Sequence, residues 1–232
     1  SGRKTITKQA IKKFSPMLKN LKKYDIDWLF IIGWSQIANK QILIAPNKGA
    51  LGIHPTLLPQ GRGRASIPWA ILKGLKQTGV TMFKLDEGVD TGEILDQLVI
   101  PLSDETTATN LYNAVNSAHV ELIENIFPQL RDNQVQLRKQ DDSQATEWPG
   151  RGPADGEIDL NGSVFDAERL VRAVTSPYPG AFTFIDGVKY VIWASELLDS
   201  SLDTVDNVIT FKDGRLRLTD FQIIHDKSLL SG

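Results

Sequence analysis

Leu51-Gly52-Ile53-His54-Pro55-Thr56-Leu57-Leu58-Pro59 begins as a short apolar strand and breaks at a histidine followed by proline. Beyond it, Pro59, Gly61 and Gly63 punctuate a loop running to residue 68. A histidine at the carboxyl end of a buried strand, facing a glycine-rich loop, lies where open α/β sheets bind ligands. Upstream, Trp28-Leu29-Phe30-Ile31-Ile32-Gly33 reads as a strand buried on both faces, as in a parallel sheet. Downstream, residues 66–74 read as a helix, Val80 to Leu85 as a third strand and Gln97 to Leu102 as a fourth. Residues 107–131 carry Leu111, Val115, Ala118, Leu122, Ile126 and Leu130 at steps of three or four, the apolar stripe of an amphipathic helix. A lysine-rich helix is expected over residues 4–24. Strands alternating with helices predict an α/β fold with a mainly parallel sheet.

Composition shifts at residues 139–157, where Gln, Asp, Ser, Pro and Gly dominate. The expected organisation is a catalytic domain over residues 1–140, a linker over 141–157 and a small β-rich subdomain over 158–232. In the last part a helix at 167–174 is followed by short strands. Asp186-Gly187 and Asp213-Gly214 between them predict tight hairpins, hence an antiparallel sheet.

The chain has 232 residues, a formal net charge of -2 and no cysteine. Thiol nucleophiles, disulfides and thiolate metal sites are thereby excluded. A large nucleic-acid footprint normally needs a basic face, so none is expected. No apolar run reaches about 18 residues, so no membrane span is expected, and no signal peptide is evident. A cytoplasmic setting fits these features.

Three histidines are present. His119 falls beside the apolar stripe of its helix and reads as a packing residue. His225 follows a terminal strand and reads as a surface group. His54 is the candidate for chemistry. Asp90 follows the third strand in the same way, in the loop Asp86-Glu87-Gly88-Val89-Asp90-Thr91-Gly92. This loop lacks EF-hand ligand spacing, so no metal is expected there. A carboxylate beside an imidazole fixes its tautomer. Gly61-Arg62-Gly63 lacks the third glycine of a dinucleotide fingerprint. Gly33-Trp34-Ser35-Gln36-Ile37 lacks the last glycine of a nucleophile elbow.

Taken together, His54-Pro55-Thr56-Leu57-Leu58-Pro59, Arg62-Gly63-Arg64, Ile67-Pro68-Trp69, Thr78-Gly79-Val80-Thr81 and the 86–95 loop resemble the formyltransferases that use N10-formyltetrahydrofolate. The resemblance continues through Val171-Arg172-Ala173-Val174 and Pro177-Tyr178-Pro179-Gly180-Ala181-Phe182, and covers roughly residues 27–195. Within that family the Gly33-Trp34-Ser35-Gln36 turn and the Arg-Gly-Arg loop look most like the nucleotide-sugar enzymes. The resemblance implies a Rossmann-like domain and formyl transfer to the amine of a nucleotide-linked amino sugar, of the 4-amino-4,6-dideoxyhexose type. It implies His54 and Asp90 as the catalytic pair, with position 52 as a third member. It places the folate against Trp34, Ser35, Gln36, Ile37, Asp86, Glu87, Gly88 and Val89, and the substrate against Thr56, Arg62, Arg64 and Trp69. Methionyl-tRNA or another small amine as acceptor, and a silent formyltransferase-like binding module, are the alternatives.

Two departures from the family pattern stand out. Position 52, usually asparagine, is glycine here and cannot donate to an oxyanion. Only 27 residues precede the strand at 28–33, where the family has about three further strands. That strand is therefore expected at a sheet edge, in a fragment, a processed form or a homodimer.

Overall fold

The computed structural model describes residues 18–21, 23–33, 40–198 and 206–224. Most of the expected helix over 4–24, the Trp34, Ser35, Gln36 and Ile37 turn, and His225 lie outside the described residues. The chain divides into two compact units. One comprises Ser1–Arg62, Val80–Leu98 and His119–Glu147; the other comprises Gly63–Gly79, Val99–Ala118 and Trp148–Gly232.

The first sheet has four strands: β1 (Trp28–Ile31), β2 (Gly49–His54), β4 (Gln77–Lys84) and β5 (Ile94–Pro101), in the order β1-β2-β4-β5. β3 (Arg62–Gly63) pairs elsewhere, with β6 (Glu147–Trp148). β1 runs parallel to β2, with Trp28 opposite Gly49 and Ile31 opposite Gly52. β2 runs antiparallel to β4, with His54 opposite Thr81. The α/β class holds, and the sheet is mixed. β2 and β4 are buried nearly throughout, as continuous apolar runs require. β1 differs from the two-faced burial read from its apolar run and agrees with the expected edge place: all four residues are only half-buried. The cause is its place at an edge among the described strands, where β2 covers one side only.

Helices accompany these strands, among them α1 (Lys40–Leu43), α2 (Ser66–Leu72) and α3 (Ala108–Arg131). The six apolar positions read from the sequence of α3 are all buried, from Leu111 to Leu130. His119 on its flank is half-buried, with Nε2 unpartnered among the described residues, and burial pushes its imidazole below the ordinary histidine range. That fits a packing residue.

The second sheet is antiparallel, in the order β7-β8-β10-β9, from β7 (Ala181–Ile185), β8 (Val188–Leu198), β9 (Val208–Phe211) and β10 (Gly214–Ile224). α4 (Val164–Val174) precedes it in the chain. Val164, Val171, Ile192 and Leu216 are almost fully buried. Each such side chain contributes about 1.5–3 kcal/mol relative to exposure. The Ser163 hydroxyl accepts from Phe165 N–H, and the Asp213 carboxylate accepts from Ser163 Oγ and Val164 N–H. Together they cap α4. Asp186 and Gly187 both take positive φ, as the expected two-residue hairpin demands. At the other hairpin Gly214 pairs with Phe211, so the turn residues are Lys212 and Asp213. Gly214 is needed there for close approach: a Cβ would meet Val164 Cγ1 at 2.8 Å.

The stretch 141–157, expected as a linker, carries β6 and two 3-10 turns, at Asp142–Gln144 and Pro153–Gly156.

Candidate active site

His54 is the last residue of β2 and only 7% exposed. Its Nε2 lies 2.8 Å from the Gly61 carbonyl, and its Nδ1 lies 3.5 Å from Asp90 Oδ2. The carbonyl only accepts, so Nε2 carries a proton when that bond is made. Nδ1, facing the carboxylate, is then the nitrogen that can take up a second proton. The sequence-predicted pair is thus brought together from the end of β2 and the loop between β4 and β5, 36 positions apart in the chain.

The loop that follows His54 is held from several directions. Thr56 N–H donates to the His54 carbonyl, Leu58 N–H donates to Thr81 Oγ1, and Thr81 Oγ1 donates to the Thr56 carbonyl. Gln97 Nε2 donates to the Leu58 carbonyl, and Gly61 N–H donates to Thr146 Oγ1. Fixing the Gly61 carbonyl in this way fixes its bond to the imidazole. Thr56 itself is 1% exposed, and its hydroxyl has no hydrogen-bond partner among the described residues.

Asp90 sits at φ 55°, in the left-handed region. Aspartate is one of the few non-glycine residues that enter it readily. The loop before it closes on Asp86, whose Oδ1 accepts from Gly88 N–H and Thr91 Oγ1. Asp86, Glu87, Gly88 and Val89 are exposed, and Glu87 makes a 2.5 Å surface ion pair with Lys40. After Asp90, Gly92 passes so close to β4 that a Cβ would collide with the Lys84 carbonyl oxygen. Lys84 N–H donates to the Glu93 carbonyl at 2.8 Å, closing the loop.

Sequence reasoning missed Gln140. Its Nε2 donates to the carbonyls of Asp90 and Gly92, at 2.8 and 2.7 Å. Its Oε1 accepts from Arg62 Nε and Nη2, and Arg62 Nη2 also donates to Asp142 at 2.6 Å. One amide therefore ties the Asp90 loop to the segment after His54. No local signal marks it, because it falls in a polar stretch whose composition reads as a connection.

The same bonds reassign Arg62. Its side chain is 7% exposed and its guanidinium is committed to Gln140 and Asp142. It braces the site through those two partners. Arg64 is exposed, and Trp69 is half-buried on α2 with its indole N–H donating to the Pro149 carbonyl. Both lie in the second unit. Gly52 leaves a space that Leu85 fills: a Cβ at 52 would meet Leu85 Cδ2 at 2.7 Å. Among the described residues no group of three or more His, Asp or Glu side chains is arranged to hold a metal ion. No helix there is long and apolar enough to cross a membrane.

The formyl transferase family model matches residues 5–126, and its C-terminal domain model matches residues 152–229. This chain belongs to the formyl transferase family. Among solved structures, it resembles HypX from Aquifex aeolicus in complex with tetrahydrofolic acid, with a TM-score of 0.73 and 18% identity over 94% of this chain. It spans only 40% of that protein. It also resembles methionyl-tRNA formyltransferase from Clostridium thermocellum, with a TM-score of 0.64 and 21% identity, covering 97% of this chain and 86% of that one. A third is the N-formyltransferase from Helicobacter canadensis in complex with folinic acid and dTDP-3-aminofucose. There the TM-score is 0.62 and the identity 20%, covering 83% of this chain and 73% of that one. These likenesses establish a shared formyltransferase fold.

Proposed function

We propose that this chain transfers a formyl group from N10-formyltetrahydrofolate to the amine of a nucleotide-linked amino-deoxyhexose. The observation that carries this reading is the His54–Asp90 pair, whose flanking segments Gln140 ties together, in a chain of this family. The amine lone pair attacks the formyl carbon, forming a C–N bond and a tetrahedral oxyanion. His54 accepts the proton that the amine nitrogen loses, and Asp90 offsets the imidazolium charge. Collapse breaks the bond between the formyl carbon and N10, which takes a proton. The products are the sugar formamide and tetrahydrofolate. The exposed 86–89 loop offers backbone groups for one side of the folate. The sugar as acceptor, rather than tRNA, is supported by the net charge of -2, since a tRNA enzyme needs a basic surface.

The test incubates the protein with N10-formyltetrahydrofolate and a panel of acceptors: 3-amino and 4-amino nucleotide sugars and methionyl-tRNA. Release of tetrahydrofolate is followed. Turnover is expected with one of the sugars, and His54→Ala should lower kcat/KM by roughly 10²–10⁴ while folate still binds. Near-normal turnover in that variant removes His54 from the mechanism. Turnover with methionyl-tRNA alone replaces the sugar. Nucleotide-sugar binding without turnover of any amine makes the chain a binding module.

A further inference from the structure

The contact between His54 and Asp90 is the least secure in the site. At 3.5 Å from Nδ1 to Oδ2 it lies beyond the roughly 2.7–3.2 Å of a good hydrogen bond. A displacement of about 1 Å at a reacting group can cost roughly 10²-fold in rate. Whatever fixes the Asp90 backbone therefore bears on the reaction. Asp90 lies in the loop between β4 and β5 at φ 55°. Such a conformation persists only where the surroundings hold it.

Gln140 supplies that hold. Its Nε2 carries two hydrogens and meets two acceptors, the Asp90 carbonyl at 2.8 Å and the Gly92 carbonyl at 2.7 Å. Its Oε1 accepts from Arg62 Nε at 3.1 Å and Nη2 at 2.8 Å. Turned over, the amide would set its oxygen against two carbonyl oxygens and its hydrogens against a guanidinium, so one orientation fits. The two carbonyls belong to the stretch of backbone from which the Asp90 side chain leaves. The far end of the bridge is anchored as well, because Arg62 is buried and donates to Asp142 at 2.6 Å.

The same short segment meets the other member of the pair. Thr146 Oγ1 accepts from Gly61 N–H at 2.9 Å, and Arg62 N–H donates to the Thr146 carbonyl at 2.9 Å. The Gly61 carbonyl is the group that faces His54 Nε2. All of these residues belong to the first unit. Residues 140–146 thus bond to the backbone beside Asp90 and beside the Gly61 partner of His54.

We propose that Gln140 is a positioning residue of the formyl transfer, acting through the Asp90 and Gly92 carbonyls to hold the Asp90 carboxylate at His54. This rests on the His54–Asp90 reading above. When His54 takes the amine proton, the charge it gains is offset only while Asp90 stays in place.

The experiment measures formyl transfer from N10-formyltetrahydrofolate to the acceptor that the panel above identifies. Rates are counted per tetrahydrofolate-binding site, so that unfolded protein does not contribute. Gln140→Glu keeps the acceptor oxygen for Arg62 and loses both donors. Gln140→Met keeps the length and loses all four bonds. In both, kcat is expected to fall about tenfold or more, with KM for folate and for acceptor within about twofold of wild type. Gln144→Met makes the same change at an exposed glutamine of the segment and should react as wild type. In an Asp90→Ala background Gln140→Glu should add little, because the group it positions is gone.

Losses that multiply in full in that background show a role independent of Asp90 and overturn the proposal. An unchanged kcat in either Gln140 variant also overturns it. In the Met variant it would assign the Glu effect to the new charge; in the Glu variant it would assign the Met effect to Arg62. A raised folate KM with kcat unchanged moves Gln140 to folate binding, and an equal fall in Gln144→Met makes any disturbance of the segment the cause. Each of these leaves the His54–Asp90 reading standing, since the wild type still turns over. No turnover of any acceptor by the wild type removes both.

Discussion

Gly52 and His54 are two residues apart on β2, so positions 52 and 54 face the same side of the sheet. The space a side chain at 52 would take is filled by Leu85, the residue after β4. An asparagine at 52 and a leucine at 85 compete for one space. Gly52→Asn alone is expected to lower stability by about 1–3 kcal/mol, as overpacking does. In a Leu85→Ala background the same change should cost much less, because the space is free. Denaturant unfolding of the four proteins of this cycle measures the coupling, and additive effects would show that the two sites do not share the space. The missing oxyanion donor was legible in the sequence, since glycine has no side chain. Its physical counterpart, Leu85, was not, because a residue 33 positions away gives no local sign of where it packs.

At the scale of elements, two loops determine the site. The 55–61 segment is held by Thr81, Gln97 and Thr146, and the 86–92 loop by Asp86 and Gln140. Gly92 lets the second loop return against β4, where any Cβ meets the Lys84 carbonyl. Gly92→Ala is therefore expected to push the loop off the strand and carry Asp90 away from His54. Turnover should fall by about the 10²–10⁴ that acid–base assistance supplies. The circular-dichroism spectrum should remain close to wild type, because the sheet and helices do not depend on this contact. Unaltered turnover would show that Asp90 does not need the loop position seen here. The existence and order of these strands and of α3 followed from periodicity and glycine punctuation. The half-exposed state of β1 agrees with the edge place expected from the family pattern, and not with its own apolar run, which reads alike at an edge or in the middle of a sheet.

For the whole molecule, the formyltransferase fold carries the expectation that folate binds the native state and not the unfolded chain. Saturating tetrahydrofolate, at about a hundred times its Kd, should raise stability by about 2.7 kcal/mol. A calorimetric melt with and without the ligand reads this directly. An unshifted transition at that concentration would argue that the chain does not bind folate. By itself the sequence determined the α/β class, the antiparallel hairpins of the second sheet and the stripe of α3, and it singled out His54 and Asp90 as candidates. These depend on local periodicity, turn chemistry and contiguous motifs, which the chain carries in its own order. Only the tertiary structure decided that Gln140 joins the two loops, that Arg62 bonds Gln140 and Asp142, and that Lys73 and Arg151 meet over Trp69. Each of those rests on residues roughly 80 positions apart, or on one polar side chain among many alike. Charge and polarity in a sequence say what a side chain can bind, and only folding says which partner reaches it first.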